Sequence, residues 1–162
     1  MTFDHTTARA LSILLHEIVD GPKGKEAFVL NPGDAGLLRS LDALSATDAS
    51  TITIGGSSIA AHVDHLRYGL ELMNRWSNGE NPFSEADYSA SWRRTTVDDA
   101  EWKNRRVQLR DQLRPWMDVV ATPRAVNDLE LTGIISSVVH LAYHLGAMRQ
   151  MNSAMKGPKA ND

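Results

Sequence analysis

The chain has 162 residues and a formal net charge of −3 at pH 7; 42% of its residues are apolar, 23% are charged and none is cysteine. This length suits a single domain spanning residues 1–162, and the apolar fraction excludes an intrinsically disordered chain. The lack of cysteine excludes disulfides, thiolate metal ligands and a cysteine nucleophile, and the negative charge argues against a nucleic-acid-binding surface.

The first residues, Met1–His5, contain no basic region followed by a long apolar run. Nor does any part of the chain have the roughly 18 consecutive apolar residues that a membrane-spanning helix requires. We therefore expect no export signal and no membrane span, and we predict a cytoplasmic protein.

A first long helix is predicted from Thr6 or Thr7 to Val19, because apolar residues recur there at helical spacing. Thr6 or Thr7 is its predicted N-cap, and Gly21-Pro22 follows as a stop signal. His16 lies beside this apolar stripe and is interpreted as a surface or edge-of-core residue. A long crossover follows, rich in glycine and proline and containing one short predicted helix near Ala35–Leu44.

The sequence Thr51–Ile54 alternates like a strand but has no second strand to pair with, so an extended segment is predicted. Ser57-Ser58 then caps a second long helix that runs to about Trp76. This helix carries His62 and His65, three residues apart, which both flank its apolar stripe. Either histidine can point inward, and by helical angle alone His62 is closer to the centre of the stripe.

Residues 77–96 form a long connection with aromatic residues but no clear periodicity, and such connections are often functional or anchored by their own aromatic side chains. Trp92 is interpreted as an anchor of this loop; the alternative is that it borders a site together with Arg93 and Arg94. A third helix is predicted to follow Thr96, with Asp98 and Asp99 in its first turn, and to run to about Val120, ended or kinked near Arg114 by Pro115. The basic residues of this helix are interpreted as its solvated face: Lys103, Arg105, Arg106, Arg110 and Arg114.

The last helix is predicted to begin near Leu131-Thr132 and to end before Gly157, followed by a frayed tail at about 156–162. It carries His140 and His144, whose spacing of four residues places them one turn apart on one face, where they can share one metal ion. The alternative is a pair satisfied by backbone or water. A zincin peptidase is disfavoured because Leu141 stands where its general base would be. Long helices without an assured strand predict an all-α four-helix bundle with long crossover connections.

Three segments resemble the DinB-like (DinB/YfiT-like) superfamily of four-helix bundles: Ser57–Leu66, Ala90–Trp102 and above all His140–Gln150. The resemblance extends from roughly Ala8 to Met155. It implies a divalent metal held by three histidines, two of them from the H-x-x-x-H of the last helix and one from the second helix. Carried over, the ligands are His140, His144 and His65; the family pattern favours His65, whereas the helical angle favours His62.

The resemblance also implies a function. Three imidazoles accept nickel, zinc, iron or copper, and family members with assigned chemistry include transferases and isomerases that use a small thiol such as bacillithiol or mycothiol. We therefore expect a metal-dependent enzyme of thiol S-transferase type, with Tyr88–Arg94 and Tyr143 lining its mouth. A homodimer is also expected, with Trp76 and Trp116 as contributors. The alternative is a non-catalytic bundle in which the metal or the histidine cluster is structural or senses a ligand.

Overall fold

The computed structural model describes residues 2–155, most of which are helical. Two-residue strands β1 (Thr2–Phe3) and β2 (Arg124–Ala125) pair antiparallel, and short 3-10 helices span Pro82–Glu85 and Ser153–Met155. The all-α prediction is confirmed, whereas the tail predicted at 156–162 lies outside the described residues. The described part of the chain contains these α-helices: α1 (His5–Asp20), α2 (Leu37–Asp42), α3 (Ala46–Ser50), α4 (Ile59–Ser77), α5 (Tyr88–Trp92), α6 (Asp99–Ala121) and α7 (Asp128–Met151).

The four long helices pack around a common apolar core. α4 contacts α6 and α7, and α1 contacts the same two helices. Trp116 of α6 is fully buried in this core and donates its indole N–H to Ser137 Oγ at 2.9 Å. The prediction that Trp116 contributes to a dimer surface is therefore wrong, because its ring is occupied within the fold. Other large side chains that are fully buried in the core include Leu15, Ile18, Ile59, Leu66, Trp102 and Leu113.

Each long helix begins at a side chain that accepts a hydrogen bond from the backbone of the first turn. The caps are Asp4 for α1, Ser58 for α4, Asp98 for α6 and Asn127 for α7. The predicted cap at Thr6 or Thr7 and the predicted start of α7 at Leu131-Thr132 are therefore wrong. In α7 the pair Asn127 and Glu130 forms a capping box, which satisfies free amides of the first turn and starts the helix earlier.

Helix α6 continues through Pro115 to Ala121, one residue beyond the predicted end at about Val120, so Pro115 does not end it near Arg114. An internal proline costs a helix about 3 kcal/mol or more, through a lost hydrogen bond and a steric clash. The fully buried neighbours Leu113 and Trp116 offset this cost, because they bury large apolar side chains on either side of the proline.

Arg105 does not belong to the solvated face that the sequence predicts for α6. Its side chain is buried, and its Nη1 donates to the carbonyl oxygens of Ala60 and Arg94 at 3.1 Å each. These two bonds join α6 to the first turn of α4 and to the loop before α6. Burial lowers the pKa of Arg105 from its ordinary value.

Two buried carboxylates fix the crossover between α1 and α4. Glu17 of α1 accepts hydrogen bonds from the backbone amides of residues 28–30 at 2.7–3.0 Å. Asp34 is fully buried and pairs with Arg149 Nη1 of α7 at 2.8 Å. Thr51–Ile54 forms no strand, as predicted.

By length and composition α7 is apolar enough to cross a membrane, with a mean hydropathy of 1.3 over a window of which 33% is buried. The core helices of soluble proteins meet the same criterion, so this property alone does not indicate a membrane span. One side of α7 packs against α1 and α4, where Ile134, Val138 and Leu141 are buried.

Candidate metal centre

Four histidines from α4 and α7 meet between the two helices. His62 and His65 come from α4, and His140 and His144 come from α7. One ring nitrogen from each of His65, His140 and His144 lies within 4.8 Å of the other two, so these three residues can hold a metal ion. The structure thus brings together the three histidines that the family resemblance selects, with His65 rather than His62, which the helical angle favours, in the third place.

The spacing of the ring nitrogens suits a metal ion. His65 Nε2 and His140 Nε2 are 3.1 Å apart. Two imidazole nitrogens bound to one zinc ion at ~2.0–2.1 Å and a tetrahedral angle lie roughly 3.3 Å from each other. In the absence of a cation the same distance allows a hydrogen bond in which one ring donates its N–H to the other.

A serine of α5 determines which nitrogen of His65 is free. Ser91 Oγ donates its only proton to the carbonyl oxygen of Tyr88 at 2.8 Å. The contact of 3.3 Å between Ser91 Oγ and His65 Nδ1 must therefore be donated by the imidazole. His65 then carries its proton on Nδ1 and presents an Nε2 lone pair to the other histidines, the arrangement that supports a metal-binding imidazole. Ser91 is a site residue that the sequence analysis did not identify.

His62 also belongs to the cluster, although it is outside the three-histidine group. Its Nδ1 lies 2.8 Å from Nδ1 of His144. If His144 donates this hydrogen bond, its Nε2 is left with a lone pair for a metal, and His62 acts as the acceptor that orients the ring. Both α4 histidines therefore point inward, and both belong to the cluster. His65 is one of the three histidines that can hold a metal ion, whereas His62 contacts His144 beside them.

The environment keeps the four imidazoles neutral. Burial is the largest cause, and it lowers the pKa of all four histidines from the ordinary value of 6.5. The pKa of His65 falls to about 4 and that of His144 to about 3, because each is also close to other histidines that would be positively charged. Only a neutral imidazole has a lone pair to offer, so at pH 7 the cluster is ready to bind a cation.

Trp92 covers the α4 side of the cluster. Its ring stacks on His65 with the centroids 4.6 Å apart and meets the edge of His62 at 5.0 Å. The loop that follows is held to α4, because Ser58 Oγ donates to the carbonyl oxygen of Thr95 at 2.5 Å. Trp92 thus fills both of the roles that the sequence leaves open: it anchors the long loop and it borders the site.

The α7 side of the cluster is open. His140 and Tyr143 are exposed, whereas His144 is buried. An apolar groove of about 250 Å³ between α4 and α7 reaches His140. A larger polar cavity of about 540 Å³ lies between α4, α5 and α6; Ser91 lines it, but none of the four histidines does. The open side therefore gives small molecules access to the cluster through the groove.

The residues that the resemblance suggests for the mouth do not all lie there. Tyr88 lies 6.5 Å from His65 between ring centroids, and Tyr143 lies 5.1 Å from His144. Arg93 instead pairs with Asp87 at the surface.

The chain matches no protein-family model, no curated protein and no solved structure in the comparisons made with each.

Proposed function

We propose that the protein is a metal-dependent enzyme of thiol S-transferase type, built on a four-helix bundle of the DinB-like superfamily. The observation that carries this proposal is the convergence of ring nitrogens from His65, His140 and His144 within 4.8 Å of one another. Contacts of α4 and α1 with both α6 and α7 support the bundle. The long segments 21–58 and 78–98 would be its crossover connections.

The donor set suits nickel, zinc or iron, since all three accept imidazole. A divalent ion held by three protein ligands supplies Lewis acidity at its remaining coordination position, which suits a small thiol substrate. The chain's own residues hold and orient the site: Ser91 and His62 fix two of the imidazole rings. Trp92 excludes water on the buried side, and the exposed edge of His140 leaves an approach for the substrate.

The non-catalytic alternative also has an observation in its favour. Because His62 Nδ1 lies 2.8 Å from His144, a modest rotation of the rings could bring a fourth imidazole to the same ion. A site closed by four protein ligands is typical of a structural metal and leaves no position for a substrate. The two functions therefore differ in whether His62 coordinates.

The first experiment measures metal content. Protein dialysed against nickel, zinc or iron should retain about one ion per chain by elemental analysis, and His65→Ala, His140→Ala and His144→Ala should each lose it. His16→Ala is the matched control, because His16 is 44% exposed, belongs to α1 and, within residues 2–155, its side chain bonds only Asp20. Retention of metal by the triple alanine variant would refute the proposed site.

The second experiment tests for an open coordination position. Cobalt-substituted protein titrated with a small thiol should develop a thiolate-to-cobalt absorption band in the near ultraviolet, and His16→Ala should behave the same. A cobalt spectrum that does not respond to thiol, together with loss of metal from His62→Ala, would identify the closed structural site instead.

A further inference from the structure

We infer that the apolar groove beside His140 binds an uncharged apolar arm of the substrate, a short alkyl chain or a single ring. The thiol sulfur of the same substrate would lie at the three-histidine cluster. This inference rests on the proposed metal site and adds to it the class of substrate. The groove lies between α4 and α7 and is roofed by the segment between α4 and α6.

The residues that line the groove disfavour a charged group of a ligand. Among the residues that the structure describes, no lysine, arginine, aspartate or glutamate lines it. Two serines do line it, but their hydroxyl protons are used: Ser136 Oγ donates to the carbonyl of Gly133 at 3.0 Å, and Ser137 Oγ to that of Ile134 at 2.7 Å. The walls are supplied mainly by Leu66, Leu70, Met73, Phe83, Tyr88 and Leu141.

The groove continues into the histidine cluster, which identifies its occupant. His140 is both a wall of the groove and a member of the three-histidine group. Tyr88 also lines the groove, and its ring lies 6.5 Å from that of His65. A molecule bound at the cluster can therefore extend into the groove without leaving the protein surface. At about 250 Å³ the groove is smaller than the ~300–1,000 Å³ of typical pockets for drug-sized ligands, so its occupant is a small group.

Gly69 keeps one wall of the groove open. It lies in the middle of α4, and a Cβ built on it would meet no atom within 4 Å outside its own helix. A larger side chain there would project into open space rather than into the core. Gly69→Leu is therefore expected to fill the groove while the helix folds normally. Gly146→Leu is the matched control, because Gly146 of α7 is equally unobstructed but does not line the groove.

The test is a titration of cobalt-loaded protein with ethanethiol, butanethiol and hexanethiol, followed by the thiolate-to-cobalt band. Affinity should rise about threefold to fourfold for each methylene that enters the groove. In Gly69→Leu the rise should disappear while ethanethiol binds as in the wild type, and Gly146→Leu should keep the rise. Equal affinity for all three thiols in the wild type would overturn the inference and leave the proposed metal site standing.

A second arm separates failure of the groove from failure of the metal site. If the protein retains no metal, benzyl alcohol is titrated into the metal-free protein, and backbone amide shifts are followed by NMR. Shifts of Gly69, Met73 and Leu141 that Gly69→Leu abolishes would support the groove even though the proposed function had failed. Absence of these shifts at millimolar probe would overturn the groove as well.

Discussion

Nδ1 of His62 and Nδ1 of His144 face each other across the interface between α4 and α7 at 2.8 Å. At this distance one imidazole must donate a proton to the other, because two lone pairs would repel. The direction of that hydrogen bond decides which nitrogen of His144 is available to a metal. His62 therefore influences the metal centre without belonging to the three-histidine group.

His62→Ala is expected to retain about one metal ion per chain but to bind it roughly 10–100-fold more weakly, the usual cost of losing a residue that orients a ligand. His62→Gln should bind more tightly than His62→Ala, since its amide oxygen can accept the proton of His144. Competition with a chelator of known affinity measures both. If His62→Ala and His65→Ala each lose metal as completely as His144→Ala, the site has four histidine ligands and the open-site proposal is wrong.

Ser91→Ala is expected to weaken metal binding by a similar factor of roughly 10–100, because His65 loses the acceptor that holds its proton on Nδ1. Ser89→Ala is the matched control within α5: Ser89 bonds Asp87 and Arg93 at the surface and does not contact a histidine. The same chelator competition applies. Equal metal affinities in the two variants would show that Ser91 does not determine the tautomer of His65.

Metal-free protein is expected to lose stability as the pH falls below 6.5. The pKa values of His65 and His144 in the fold are about 4 and about 3, so the folded state binds fewer protons than the unfolded state between these values and 6.5. The stability that the fold gains from keeping these two imidazoles neutral is fully present above pH 6.5 and decreases as the pH falls. At pH 5 the loss should be about 2 kcal/mol for each histidine.

Urea unfolding of the metal-free protein at pH 7.5 and pH 5 measures this loss. The double variant His65→Leu/His144→Leu, compared with the wild type under the same conditions, removes the two histidines whose pKa values fall furthest and puts apolar side chains in their place. Its stability should change less between the two pH values. An identical pH dependence in the two proteins would show that the buried histidines are not the source.

The ion pair between Asp34 and Arg149 is expected to contribute to stability without affecting metal binding. The Asp34 side chain is 1% exposed and that of Arg149 is 15% exposed, so Arg149→Met would leave a buried carboxylate without a counter-charge, with the amide of Asn31 still donating to it. The expected cost is about 3–5 kcal/mol in chemical unfolding, with metal content unchanged. Arg93→Met is the control: its ion pair with Asp87 is mostly exposed and should cost less than about 1 kcal/mol. Equal costs would contradict this account.

The sequence predicts the α7 part of the site because the spacing of His140 and His144 is a local property of one helix. It predicts the identity of the α4 ligands less well. His62 and His65 are three residues apart beside one stripe, and only the packing of α4 against α7 and Trp92 determines how each ring is used. Ser91 carries no sequence signal, since its role depends on α5 placing it against His65.

The helices follow from the sequence more closely than their ends do. Apolar periodicity predicts all four long helices, but caps such as Asp4 and Asn127 precede the first apolar residue and shift the starts. Tertiary packing overrides two local rules in α6: Pro115 is tolerated within the helix, and Arg105 is buried against carbonyl oxygens. The superfamily, the thiol substrate, the homodimer and the cytoplasmic location stay predictions.

The exposed position of His140 has a consequence for how the protein would acquire and lose a cation. Two of the three imidazoles are buried, but the third is on the surface, so dissolved chelators can reach an ion held there. Exchange with the surroundings would not require α4 and α7 to separate. Occupancy would then follow the free metal concentration of the compartment rather than the unfolding rate of the chain.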